Sequence, residues 1–186
     1  MSMNLYLKNN KYRKYHITSP NLVSNVYFSL IYYLISKITN FHNKKVLDFG
    51  GGQGFLKKKL KRKYSCDVKI FDIVNKLSDL KNWKIYNFDI IIFCQVICLL
   101  GKKDIKIVFD NLKKRKHILI VSAFSKQTII NKFFAFLLGH KDAHGNTKTL
   151  PRTEKKLLIE NFNLLKCYNY YFFEILLLKN KLKKKK

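Results

Sequence analysis

At 186 residues, 47% apolar and 26% charged, the chain has the length of one domain and the composition of a folded one, which excludes wholesale disorder and makes a single catalytic domain the expectation. Its charge is lopsided: 38 Lys and Arg face 11 Asp and Glu, a net +27 that attracts polyanions and anionic lipid headgroups. Arginine stands only at 13, 62, 115 and 152, and bidentate reading of guanine favours arginine over lysine, so no specific DNA partner is expected. Nonspecific RNA or membrane contact through lysine stays open. So does a low-GC coding bias, which enriches Lys, Ile, Phe, Tyr and Asn together.

The opening Met1–Arg13 is polar and basic, without the apolar core of a signal peptide, and Cys66, Cys94, Cys98 and Cys167 show neither disulfide-framework nor zinc spacing. A cytoplasmic protein without a metal site is the expectation. Ser19-Pro20 supplies a cap and a first helical proline, after which Val23, Val26, Tyr27, Leu30, Leu34 and Ile38 recur at helical spacing. The apolar stretch Asn21–Ser36 contains Asn and Ser and falls short of the roughly 20 residues that span a bilayer.

Lys45–Phe49 is a short apolar run halted by glycines, which predicts a buried parallel strand; Phe55, Leu56 and Leu60 then mark one face of a lysine-rich helix. Val68–Phe71 reads as a second strand ending in Asp72, Trp83–Tyr86 as a stunted one, and Phe88–Cys94 as a fully buried one. A helix over about 103–114, a strand at His117–Ser122 and a helix carrying Ile129, Ile130, Phe133, Phe134 and Leu137 up to Gly139 follow. Glu154–Glu160 reads as helical, and Phe162–Leu178 as two strands joined around Tyr170-Tyr171.

Strands alternating with helices predict an α/β chain: a single doubly wound, Rossmann-like domain with a mostly parallel sheet closed by an antiparallel C-terminal strand pair. The expected organisation is an N-terminal helical extension at 1–40, the domain at 41–178 and a basic tail at 179–186.

Asp48-Phe49-Gly50-Gly51-Gly52-Gln53-Gly54 is the sharpest feature, set where a buried strand turns into a helix. Its glycines let backbone approach a ligand, and the helix beyond presents unpaired N–H groups. A dinucleotide fingerprint would need a glycine where Phe55 stands, and a phosphate-binding P-loop would need Gly-Lys-Ser/Thr. The match is to acidic-x-Gly-x-Gly-x-Gly. With Asp72 ending the next strand and Phe88–Phe93 (Phe-Asp-Ile-Ile-Ile-Phe) further on, residues 40–178 resemble the class I S-adenosylmethionine-dependent methyltransferases.

The resemblance implies S-adenosyl-L-methionine as cofactor, with Asp48, Gly50, Gly51, Gly52 and Gly54 around its amino-acid part and Asp72 on the ribose hydroxyls. Ile73 and Gln95 complete the expected cofactor wall, with Cys94 and Val96 beside Gln95. The short stretch from Asp72 to Phe88 lacks the family's usual adenine-contacting acid, which leaves Trp83 or Ile73 to pack on that ring, Trp83 being more readily core. No Asn/Asp-Pro-Pro-aromatic motif follows Phe93, which disfavours adenine-N6 and glutamine acceptors, and Cys94 reads as a small hydrophobe rather than a nucleophile.

His140, Asp142 and His144 lie on the polar segment Gly139–Lys148, where this fold flanks the acceptor, and are the candidate base and orienting partners; a cap and a surface turn are the alternative. Tyr15 and His16 precede the first helix, where a clamp role competes with capping. The leading expectation is methyl transfer to a small-molecule or sugar-type, glycan-precursor acceptor. An RNA acceptor and a noncatalytic membrane-associated scaffold are the competing readings.

Overall fold

The computed structural model describes residues 22–126 and 151–181. Helix α1 spans Leu22–Ile38, strand β1 Lys45–Phe49, α2 Phe55–Lys63, β2 Asp67–Phe71, β3 Ile90–Cys94, α3 Lys102–Lys113 and β4 Leu119–Ser125. After the undescribed stretch come α4 at Pro151–Asn161, β5 at Phe162–Asn169 and β6 at Phe173–Asn180. Short 3-10 turns occupy Asn75–Leu77 and Ile97–Leu99.

All six strands share one sheet in the order β2-β1-β3-β4-β6-β5, the first four parallel, with β6 antiparallel to both β4 and β5. The unbroken apolar runs follow from cover on both faces. Val46, Ile90, Ile92 and Val121 pack with Ile31 and Ile35 of α1 and Leu56 and Leu60 of α2. Leu47, Ile91, Phe93 and Ile120 pack with Ile105 and Phe109 of α3 and Leu158 of α4. Each large side chain so buried contributes about 2 kcal/mol.

The chain runs outward from β1 to β2 on one side, then crosses back past β1 to lay down β3 and β4 on the other, so the C-terminal ends of β1 and β3 form the switch point where open α/β sheets hold ligands. Phe49 pairs in register with both Phe71 and Phe93, which brings the residues that follow the three strands to one level.

Several local expectations are corrected. The buried stripe of α1 is Ile31, Ile35 and Ile38, whereas Val26 and Leu30 face outward, because a helix apolar nearly all round has no polar face to fix its rotation. Phe55 is exposed and does not share the buried face of Leu56 and Leu60. Trp83–Tyr86 forms no strand: Trp83 turns into the core against Phe49, Phe71 and Phe88, and the Arg115 guanidinium donates to the carbonyls of Lys84 and Tyr86 that a sheet would use. Strand β2 is therefore an edge.

Boundaries shift as well. Strand β4 starts at Leu119 because His117 is left-handed at φ 61°. Strand β3 starts at Ile90, and the Asp89 side chain before it accepts the Lys45 N–H at 2.8 Å. Strand β6 keeps Lys179 and Asn180, two residues assigned above to the tail, since the Asn180 amide donates to the Leu112 carbonyl at 2.8 Å and to the Arg115 carbonyl. The helix expected around 129–137 lies outside the described residues.

Candidate functional site

Strand β1 delivers the chain into a loop whose Gly50, Gly52 and Gly54 have φ of 75°, 50° and 74°. The loop is fastened at both ends: Gly50 N–H donates to the Phe71 carbonyl at 2.7 Å and Gly54 N–H to the Gly51 carbonyl at 3.0 Å, after which Gly54 caps α2. Two positions decide what the loop can do. A Cβ on Gly51 would lie 2.5 Å from Asp48 Oδ2, so this glycine alone lets backbone rest on that carboxylate. At Gly52 a Cβ would meet nothing within 4 Å, so its left-handed backbone faces open space.

Beneath the loop, Asp48 is 1% exposed, and its Oδ2 has no hydrogen-bond partner among the described residues. Burial raises its pKa to about 7, the neighbouring Asp72 adding to the rise and Lys57 opposing it. That ammonium is committed elsewhere, 2.7 Å from Asp79. Asp72 presents the second carboxylate. Its Oδ2 accepts Gly52 N–H at 3.0 Å and its Oδ1 accepts Val74 N–H at 2.9 Å, while its own N–H donates to Ser78 Oγ at 3.1 Å. The two acids thus meet across the glycine loop, one orphaned and one held by backbone donors.

Gln95, directly after β3, sits at φ 56°, and its N–H donates to the Ala123 carbonyl at 2.8 Å. Its side chain closes a ring of hydrogen bonds that sequence reasoning missed. Gln95 Nε2 donates to Tyr27 Oη at 2.9 Å, and Ser125 Oγ donates to Gln95 Oε1 at 3.0 Å. With its one proton spent on Gln95, Ser125 accepts from Tyr27 Oη at 2.8 Å. The ring ties α1 to the ends of β3 and β4. Burial raises the pKa of Tyr32 on the same helix, with the nearby Cys94 and Asp48 adding to the rise.

Tyr27→Phe leaves Gln95 and Ser125 each one partner short, an expected loss of about 1–2 kcal/mol. The checks are a melting temperature lower by a few degrees and faster amide exchange in α1. Unchanged exchange there would show that something else fastens the helix.

On the opposite face of the sheet, Glu154 of α4 is 1% exposed beside Ser122. The hydroxyl eases the carboxylate's charge, yet no hydrogen bond of ordinary geometry joins them: both Glu154 oxygens and Ser122 Oγ lack a partner among the described residues. Burial carries the Glu154 pKa up to about 8. The Cys98 thiol is pushed up to about 12 by burial and then by Glu154, and Cys94 is raised by burial and Asp48, so neither is a ready thiolate nucleophile.

The structure therefore gathers Asp48, Gly50, Gly51, Gly52, Gly54, Asp72 and half-buried Ile73 at the switch point. Gln95 stands on the neighbouring wall with its side chain engaged by Tyr27 and Ser125. Trp83 is core. His140, Asp142 and His144, with Tyr15 and His16, lie outside the described residues.

No protein-family model matches the sequence, nor does any curated protein. Solved structures do match. The pyocyanin biosynthetic protein PhzM superposes with a TM-score of 0.65 at 14% identity, over 91% of this chain and 61% of PhzM. Magnesium protoporphyrin IX methyltransferase, ChlM, from Synechocystis PCC 6803 with bound SAH gives 0.57 at 14% identity, over 90% of this chain and 92% of ChlM. The mitomycin 7-O-methyltransferase MmcR gives 0.61 at 10% identity, over 84% of this chain and 54% of MmcR. The chain thus spans 61% and 54% of the lengths of PhzM and MmcR. Its fold is that of the class I S-adenosylmethionine-dependent methyltransferases.

Proposed function

We propose that this chain is an S-adenosylmethionine-dependent methyltransferase acting on a small-molecule acceptor. The observation that carries the reading is the buried, unpartnered Asp48 carboxylate under Gly51, facing Asp72 across a glycine loop at the switch point. An anion left without a partner in that position fits an ammonium group. Gly52, with open space where a side chain would be, leaves room for the rest of an amino-acid moiety.

Asp72 is the residue for the ribose, since one carboxylate can accept two adjacent hydroxyls; Gly52 N–H, which donates to it in the free protein, gives way to them. Ile73 offers an apolar surface beside that site. When bound, S-adenosylmethionine supplies a methyl group already activated by its sulfonium. The protein's tasks are alignment of the nucleophile and exclusion of water, and α1 serves both by fastening Tyr27 over the ends of β3 and β4. For a hydroxyl acceptor, His144 is the assigned base, with Asp142 and His140 as its partners.

Calorimetry with S-adenosylhomocysteine tests the reading: saturable binding with one site per chain is expected, and its absence would remove the enzyme assignment. Once an acceptor is found, His144→Ala should lower turnover while leaving that binding unchanged. Equal turnover would remove His144 as the base.

A further inference from the structure

The outer face of α1 and α2 adjoins the site described above only at Tyr32 and carries an unusual pairing of groups. Val26, Leu30, Tyr33 and Lys37 follow one another at i, i+4, i+7 and i+11, so they form a single stripe. Its three apolar members are 61%, 45% and 47% exposed, with Phe55 of α2 at 55% beside them. Between the helices lies a cavity of about 360 Å³ lined by Phe28, Ser29, Tyr32, Phe55 and Lys59.

Cations edge this apolar surface. The ammonium groups of Lys37, Lys59 and Lys63 stand 5.7, 5.4 and 5.9 Å from the centre of the Tyr33 ring, and that of Lys58 stands 6.0 Å from Phe55. The described parts of α1 and α2 contain no Asp or Glu, and among the described residues no carboxylate pairs with Lys37, Lys58, Lys59, Arg62 or Lys63. Lys59 is held below its usual pKa by burial, then by Arg62 and Lys63, which is the crowding an anion would relieve.

The occupant must therefore be anionic. A second copy of a chain with net charge +27 is repelled, and residues 1–21 carry four cations and no acid. Single-stranded nucleic acid would use the rings and the ammonium groups. It has no use for aliphatic Val26 and Leu30, and the Tyr33 face on which a base would stack is ringed by lysines. A bilayer surface uses every part: apolar side chains enter the acyl boundary while lysine stems lie along it and their charges meet headgroups. Among the described residues no helix is long and apolar enough to cross a membrane, which suits binding in the plane.

We infer that the α1–α2 face docks on anionic membrane surfaces, with Val26, Leu30, Tyr33 and Phe55 inserted and Lys37, Lys58, Lys59, Arg62 and Lys63 on the headgroups. Tyr27, on the same helix, hydrogen-bonds at the switch point, so docking brings the crevice to the lipid surface.

The experiment uses the full chain carrying Phe55→Trp as a depth reporter, since the one native tryptophan, Trp83, is buried in the core. Vesicles are pure phosphatidylcholine or phosphatidylcholine mixed about three to one with phosphatidylserine. Expected on the anionic vesicles are a blue-shifted emission and quenching by lipids brominated on their acyl chains. In otherwise unchanged protein, Lys59, Arg62 and Lys63 all replaced by Gln should lower the partition about a hundredfold, at about fivefold per charge. Val26→Ser with Leu30→Ser should abolish the quenching, and melting curves verify that these exposed substitutions leave the fold intact. Vesicle capture without quenching would overturn the inference in favour of charge alone. So would a uridine oligonucleotide that binds the same residues more tightly than the vesicles do.

Discussion

Asp48→Asn is expected to weaken S-adenosylhomocysteine binding about 30- to 3,000-fold while making the free protein more stable at pH 8. Two opposite effects follow from one atom. In the free protein Asp48 Oδ2 is buried without a hydrogen-bond partner, and ionising it there is disfavoured by burial first and by Asp72 second. With a pKa near 7 against 3.8 in an unfolded chain, the native state holds a proton that the unfolded state has shed. The Asp48 contribution to stability therefore falls as pH rises from about 4 to about 7, by up to about 4 kcal/mol, and levels off above. Asparagine removes the charge but brings an amide short of partners, so about half of that cost is recovered, about 2 kcal/mol at pH 8.

Binding has the reverse sign. An ammonium group placed on Asp48 needs the carboxylate charged, so native affinity should fall by up to about tenfold per pH unit below 7, and the asparagine variant should lose that dependence. Calorimetry at pH 5 to 8 with paired thermal melts measures both. A variant that keeps its affinity within threefold would show that Asp48 does not hold the amino group.

What the sequence could reveal depended on how local the constraint was. Asp48, the glycines and Asp72 announce themselves because a strand, a left-handed turn and a carboxylate are each dictated within a few residues, and the parallel register of Phe49 with Phe71 then levels them. The ring of Tyr27, Gln95 and Ser125 could not be read that way, since its members are 68 and 30 residues apart and meet only once the sheet is assembled. The left-handed backbone of Gln95, which aims its side chain, has no glycine or asparagine to advertise it. Trp83–Tyr86 resembles a strand in composition, but Arg115 competes for its carbonyls from a distant turn. The outward turn of Val26 and Leu30 was hidden for a different reason: periodicity reports a face only when polar residues mark the opposite one.

Glu154 belongs to the same class, since a glutamate beside lysines on a short helix reads as solvated surface, and yet it is buried. Its charge is opposed chiefly by burial, with Ser122 offering partial relief, so the native carboxyl keeps its proton up to about pH 8 against 4.5 in an unfolded chain. The native pKa is the higher one, so stability declines as pH rises from about 4.5 to about 8 and levels off beyond, with a limiting slope of about 1.4 kcal/mol per pH unit. Asp48 imposes the same sign in the native protein and in a Glu154 variant alike, so the difference between the two proteins reports Glu154 alone.

Glu154→Gln keeps the shape of the protonated acid and cannot ionise, so the variant should match the native protein at pH 5. By pH 8.5 it should exceed it by about 2–4 kcal/mol, a melting temperature higher by about 5–10 °C. Denaturant titrations of both proteins across that range decide the matter. Parallel stability curves would mean that the native carboxyl ionises near pH 4.5 as it does in an unfolded chain, whereas curves that separate progressively from about pH 5 to about 8 and run parallel beyond are the expected mark of a proton locked between α4 and the sheet.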